Sequence, residues 1–194
     1  MRITLASGSP RRSDILRRMG FDFTVVIPEV EESSEGCPAE IVVENARRKA
    51  GAVSETAGTG IVISADTVVV CGGEILGKPI DRDDAERMIR LQMDHPQEVY
   101  SGVCVIDVNR GKEFFGYEVS LVEMIKDHSV LEEYLDSDLW VGKAGAYGIQ
   151  DRAVIEARVT RGEEDNVEGL PGVLLRRLLS LLDFRYPEKT PAGV

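Results

Sequence analysis

Apolar and polar positions fall into blocks whose period switches between that of a strand and that of a helix. Ile3 to Ala6 is a short apolar run suited to a buried strand. Ser9 as N-cap, Pro10 as first helical residue and Gly20 as C-terminal cap then frame a helix that buries Ile15, Leu16 and Met19. Phe23 to Ile27 reads as a strand and Glu29 to Glu35 as an acidic loop. A second helix is predicted from Pro38 to Glu55, with its apolar stripe at Val42, Ala46, Ala50 and Val53 and with Lys49 off that stripe. Ile61 to Val70 is the most apolar stretch and predicts a central strand, interrupted at Asp66 and Thr67. A turn at Cys71 to Glu74 leads to a short strand, Ile75 to Gly77. Asp81 caps a helix running to Met93. Val99 to Val108 and Phe114 to Ile125 read as strands joined at Asn109-Arg110-Gly111. Ser129 and Glu132 have capping-box spacing before a short helix to Asp136. Ala153 to Thr160 alternates like a strand, and Pro171 to Leu182 closes as a helix with Leu174, Leu178 and Leu181 on one face.

Strands alternating with helices, then strands in succession, predict a mixed α/β sheet of α+β character with helices packed around it. One domain is expected over residues 1–186, with 187–194 as a frayed tail. Composition fits a globular chain: 194 residues, 43% hydrophobic and 29% charged. The net charge of -11 argues against a nucleic-acid polymer or an anionic membrane surface as partner. It leaves room for a small phosphorylated ligand held by a local cationic cluster. Cys37, Cys71 and Cys104 are odd in number and widely spaced, which predicts buried or half-buried free thiols in a cytoplasmic protein. No apolar run is long enough to span a bilayer, and Arg11, Arg12 and Asp14 interrupt any signal-like segment.

Several residues point to chemistry. In Ser7-Gly-Ser-Pro-Arg-Arg12, small residues lead from a strand into a helix N-terminus, where free amides and the helix dipole favour an anion. Arg11 and Arg12 add forks that match phosphate oxygens. The same run also reads as an ordinary capped helix with two solvated arginines. Asp66 lies inside an apolar run, where a carboxylate is costly unless paired, hydrogen-bonded or metal-bound. It is a candidate metal ligand or general base, or else an exposed residue at a bend. Lys78 follows the short strand. The acidic loop can bring a carboxylate to a metal that bridges phosphates. Lys143 to Gln150 is rich in small residues that admit close backbone approach, and Gln150 can read a base edge. His95 and His128 read as surface residues.

Taken together, Leu5 to Arg12, Glu31-Glu32, Ala46 to Ala50 around Lys49, Ala65-Asp-Thr67, Leu76-Gly-Lys-Pro79, Val99-Tyr-Ser-Gly-Val103, Lys143 to Gln150 and Gly169-Leu-Pro171 resemble, in order, the motifs of the Maf-type nucleoside triphosphate pyrophosphatases. The resemblance implies a two-lobed fold with an elongated twisted mixed sheet and a deep central cleft, related to inosine triphosphate pyrophosphatase, and commonly a homodimer. It implies hydrolysis of a nucleoside triphosphate to the monophosphate and pyrophosphate, with a divalent cation, magnesium or manganese. By position, Asp66 corresponds to the proton acceptor. Arg11, Arg12, Lys49 and Lys78 correspond to basic cleft residues, and Glu32 to an acidic one that helps hold metal with Asp66. Ser7 belongs to the phosphate-binding run. Arg11, Thr67 and Gln150 match positions linked to base choice, and the Lys143 to Gln150 segment resembles the subgroup acting on dTTP and UTP. Two positions depart from the pattern: Gln97 stands where members often carry histidine, and Glu164-Asp165 where tyrosine is common. The other reading is a nucleotide-binding regulator of cell division acting through partners, in which Asp66 has no task.

Overall fold

The computed structural model describes residues 2–184. The expected tail at 187–194, and the end of the expected domain 1–186, lie outside the described residues. The order is β1 (Ile3–Ala6), α1 (Pro10–Arg18), β2 (Thr24–Val26), α2 (Pro38–Ala57), β3 (Ile61–Cys71), β4 (Glu74–Leu76), α3 (Arg82–Asp94), β5 (Gln97–Asp107) and β6 (Lys112–Met124). Then come α4 (Leu131–Asp136), β7 (Ala157–Arg161), α5 (Glu164–Glu168) and α6 (Gly172–Leu181), with 3₁₀ turns at His128–Val130, Ala144–Ala146 and Ile149–Asp151. The strands form one mixed sheet in the order β2-β1-β3-β5-β6-β7, with β4 paired to β3. β1 runs parallel to β2 and β3, and the remaining pairs are antiparallel.

β3 organises the molecule. Its first four residues pair with β1, from Ile3↔Ile61 to Ala6↔Ser64. Its last three pair with β4, from Val69↔Leu76 to Cys71↔Glu74. Along the other side it pairs with β5 over its whole length. Among the described residues, Ala65 to Val68 therefore lack a strand on one side, and Asp66 and Thr67 sit in that gap. The strand does not break at these two polar residues, as the sequence pattern predicted. The β5 ladder continues to hold their backbone, and both side chains find partners.

Alternation along the long strands gives each face its own cover. On one face Val62 and Cys104 pack against Ala46, Ala50 and Val53 of α2. On the other, Ile61, Ile63, Val103 and Val105 meet Ile15 and Leu16 of α1 and the leucines of α6. Farther along, Val69, Val99 and Val122 are covered by Met88 and Ile89 of α3, by α4 and by Tyr147. The two coverings on either side of the gap make two lobes.

Local sequence explains most boundaries. α1 ends in a Schellman motif: Gly20 takes φ +83°, its N–H bonds Arg17, and that of Phe21 bonds Leu16. Asp81 caps α3 by accepting from the Asp84 amide at 2.9 Å. The expected capping box at Ser129 is replaced by Asp127, whose carboxylate accepts from the Ser129 amide and caps the 3₁₀ turn ahead of α4. The strand expected over 153–160 begins only at Ala157, because the 3₁₀ turn and the turns after it occupy the preceding residues. α6 buries Leu174, Leu175, Leu178 and Leu179, while Leu181, expected on the buried face, is exposed. Cys71 and Cys104 are buried free thiols, and Cys37 is exposed rather than half-buried. Both histidines are exposed, as expected. No helix of the described residues is long and apolar enough to cross a membrane.

Candidate active site

The gap in β3 opens onto a cleft of about 630 Å³, within the usual range of roughly 300–1,000 Å³ for small-ligand sites. Ser7, Arg11, Arg12, Glu32, Lys49, Asp66, Thr67, Lys78 and Gln150, the residues expected from sequence, all line it. Arg11, Arg12, Lys49, Lys78 and Lys143 line it with three carboxylates, Glu32, Asp66 and Glu168. The cleft is thus locally positive in an acidic protein.

Successive residues of β3 point to opposite faces, and the gap exposes both to the cleft. Asp66 faces α2, and its side chain is 8% exposed. Its Oδ1 accepts from Lys49 Nζ at 2.6 Å and its Oδ2 from Asn45 Nδ2 at 3.0 Å. Asn45 and Lys49 are one helical turn apart, so α2 presents both to one carboxylate. Burial of Lys49, off the apolar stripe, is explained by this pairing: an ammonium leaves water when a carboxylate meets it. Glu32 Oε1 reaches the same Nζ at 2.9 Å from the acidic loop. That loop is anchored by Asn45, which accepts from the Ser33 amide at 2.8 Å and donates to the Ser33 carbonyl at 2.9 Å.

Thr67 faces the other way. Its hydroxyl contacts Ser101 Oγ at 2.9 Å and accepts from Arg12 at 3.2 Å. Arg12 also donates to Ser7 Oγ at 3.1 Å and to the Gly169 carbonyl at 2.9 Å. These bonds stretch the guanidinium from the N-terminal run to the loop after α5. Burial lowers the Arg12 pKa from its ordinary value, with Asp66 opposing the shift. Arg11 and Lys78 make no ion pair among the described residues, so their charges are open to a ligand. Ser9 occupies the N-cap position but its side chain makes no capping bond. The first amides of α1 are thereby left to an anion.

Lys143 is committed elsewhere, forming an ion pair with the buried Asp151, which also accepts from the Tyr134 hydroxyl at 2.8 Å. Gln150 is exposed on the cleft wall. Asn45 and Glu168 belong to the site but were not named from sequence, and Ser101 and Lys143 entered only as members of the quoted segments Val99 to Val103 and Lys143 to Gln150. The i,i+4 spacing of Asn45 and Lys49 was the signal available for the first.

A divalent cation fits this chemistry. Glu32 and Asp66 already bracket one cationic atom with hard carboxylate oxygens, and the exposed Glu32 keeps a second oxygen open. Among the described residues no three His, Cys, Asp or Glu side chains gather into a cage. Magnesium needs none, since it is commonly held by about one or two carboxylates together with substrate phosphates and water.

The comparisons with known proteins agree with this architecture. The sequence profile of the Maf-like proteins matches residues 2–182. A Dictyoglomus thermophilum protein named dTTP/UTP pyrophosphatase is 42% identical over 187 residues, covering 94% of this chain and 96% of its own. Proteins of the same name from Symbiobacterium thermophilum and Bacillus cereus (strain G9842) are 40% identical over 189 residues and 37% over 186, covering 95% and 94% of this chain and 95% and 96% of theirs. A match along almost the whole described chain, with the motif residues gathered around one cleft, establishes that the chain belongs to the family of Maf-like proteins.

Proposed function

We propose that this protein is a nucleoside triphosphate pyrophosphatase that hydrolyses dTTP and UTP to the monophosphate and pyrophosphate. The observation that carries the reading is the placement of Asp66: a buried carboxylate at a gap in the sheet, with Lys49 and Glu32 on one side and the Arg12 network on the other. The names of the relatives supply the substrate class.

The residues divide the work. The open charges of Arg11 and Lys78 and the amides of α1 bind the phosphates, and Arg12, held by three partners, fixes their orientation. As the anhydride breaks, negative charge grows on the departing pyrophosphate, and these prearranged cations stabilise it. Asp66 accepts the proton of the attacking water. Lys49 and Asn45 hold that carboxylate in one orientation. Glu32 and Asp66 would hold the divalent cation, magnesium or manganese, which would supply further charge neutralisation at the phosphates. Thr67, Arg11 and Gln150 line the same cleft, at positions the family resemblance links to base choice. The reading also includes a cytoplasmic homodimer, as the family resemblance implies, which sedimentation would test.

The test is a panel of nucleoside triphosphates incubated with magnesium, with products identified. Release of pyrophosphate, greatest from dTTP and UTP and lost on chelation, is the expected result. Release of orthophosphate, or no turnover of any triphosphate, would overturn it.

A further inference from the structure

Arg11, Arg12 and Lys78 lie on the β1–α1 and β4 side of the cleft, and Lys143, beside Ala144, is paired with Asp151; a second part of the cleft has a different character. Val69, Val99 and Val122, on one face of β3, β5 and β6, line an apolar part of the cleft together with Ala144 and Tyr147. The Tyr147 hydroxyl spends its donor elsewhere, on the Ile155 carbonyl at 2.8 Å. Gln97, the first residue of β5, lies beside Val122, its register partner. It lines the cleft, is 3% exposed, and its Nε2 has no hydrogen-bond partner among the described residues. A buried donor is costly to leave unmade, and such groups are nearly always satisfied by something. No group among the described residues does so here, and the residue lines a cleft large enough for a nucleotide.

An apolar slot ending in an amide fits a flat heterocycle with adjacent acceptor and donor atoms. The edge of uracil and thymine presents a 4-oxygen acceptor next to an N3–H donor. A glutamine amide matches it with one donated and one accepted hydrogen bond. We propose that Gln97 is a specificity-determining residue that reads the 4-oxo, N3–H edge of a pyrimidine base, donating Nε2–H to the 4-oxygen and accepting N3–H on Oε1. The inference rests on the nucleotide reading above and adds the residue that selects the base.

The test measures affinities of wild type, Gln97→Leu and Gln97→Glu for three non-hydrolysable α,β-methylene triphosphates. These are the analogues of UTP, of CTP, and of the 2-pyrimidinone nucleotide, which lacks the 4-oxygen and with it the N3–H. Wild type should prefer the UTP analogue over the 2-pyrimidinone analogue by about tenfold or more, since both hydrogen bonds to Gln97 are lost in the latter. In Gln97→Leu that gap should shrink to within about twofold, since the leucine cannot tell the two apart. In Gln97→Glu, whose carboxylate accepts but does not donate, preference should move toward the CTP analogue and its 4-amino group. A purely structural role would weaken all three analogues together and leave the gap intact, which overturns the proposal, as does a wild type with no gap or with no binding. If Gln97→Leu fails to fold by thermal melting, the near-isosteric Gln97→Glu decides. Turnover of UTP by wild type is scored separately. Binding with the expected gap but without turnover would remove the enzyme reading and leave the base reading standing.

Discussion

Gly102→Ala should lower stability and activity together, because this glycine sets how closely α2 lies on the sheet. Gly102 pairs with Asp66 across β3 and β5. A Cβ added there would lie 2.8 Å from the Val43 nitrogen and closer still to the Val42 carbonyl, both helix backbone. An ordinary carbon contact needs about 3.5 Å, so α2 must retreat by about 1 Å. Overpacking of this kind costs about 1–3 kcal/mol, which in a domain of this size lowers the melting temperature by about 2–12 °C. The same displacement draws Asn45 and Lys49, one and two turns further along α2, away from Asp66. A shift of about 1 Å at a reacting group can cost on the order of 100-fold in rate. Thermal melting and kcat/KM for UTP measure the two effects. Were the helix not in contact, alanine should stabilise the strand by about 0.5–1 kcal/mol relative to glycine. An unchanged or raised melting temperature with unchanged kcat/KM would refute the argument.

Other outcomes follow from the same contacts. Lys49→Met strands the buried Asp66 and Glu32 side of the cleft without its cation and should destabilise by about 3–5 kcal/mol, read by urea unfolding. The bidentate hydrogen bond from Arg47 holds the Glu113 carboxyl below its usual pKa. Its contribution is therefore present above the ordinary carboxylate range and lost as pH falls through the lowered value. Glu113→Gln should cost about 0.2–1 kcal/mol at neutral pH, discounted for exposure, and the difference from wild type should vanish in acid. Native protein should react with a thiol reagent at Cys37 alone, since burial pushes the Cys71 thiol up to about 11 and also raises Cys104. All three should react after unfolding, and labelling of more than one thiol in the native state would contradict the packing.

Much of this was legible along the chain because periodicity reports burial. The runs at Ile3 and Ile61 and the stripe at Val42, Ala46, Ala50 and Val53 became strands and a helix close to their expected bounds. Asp66 was conspicuous because its neighbours are apolar. The partners were harder to see. Lys49 lies off the apolar stripe and its burial is visible only once Asp66 is known to face it, and Asn45 shows its role only when the acidic loop folds back onto it. Gly102 carries its meaning only through a helix sixty residues earlier in sequence. α5 was missed because five residues, three of them acidic, give no apolar period. Leu181 misled because leucines three apart suggest one face, whereas the core takes the adjacent pairs Leu174–Leu175 and Leu178–Leu179. Strand continuity through Asp66 and Thr67 was set by the β5 ladder, which local propensity does not report.

The central claim is that Asp66 drives hydrolysis of a nucleoside triphosphate to monophosphate and pyrophosphate. The most direct test compares wild type with Asp66→Asn on UTP and magnesium, resolving UMP, UDP, pyrophosphate and orthophosphate, with thermal melting as the check on folding. The account predicts UMP and pyrophosphate in equal amounts from wild type, and a kcat lower by about 100- to 10,000-fold in a folded Asp66→Asn. UDP with orthophosphate as products, or a folded Asp66→Asn that turns over at the wild-type rate, would contradict it.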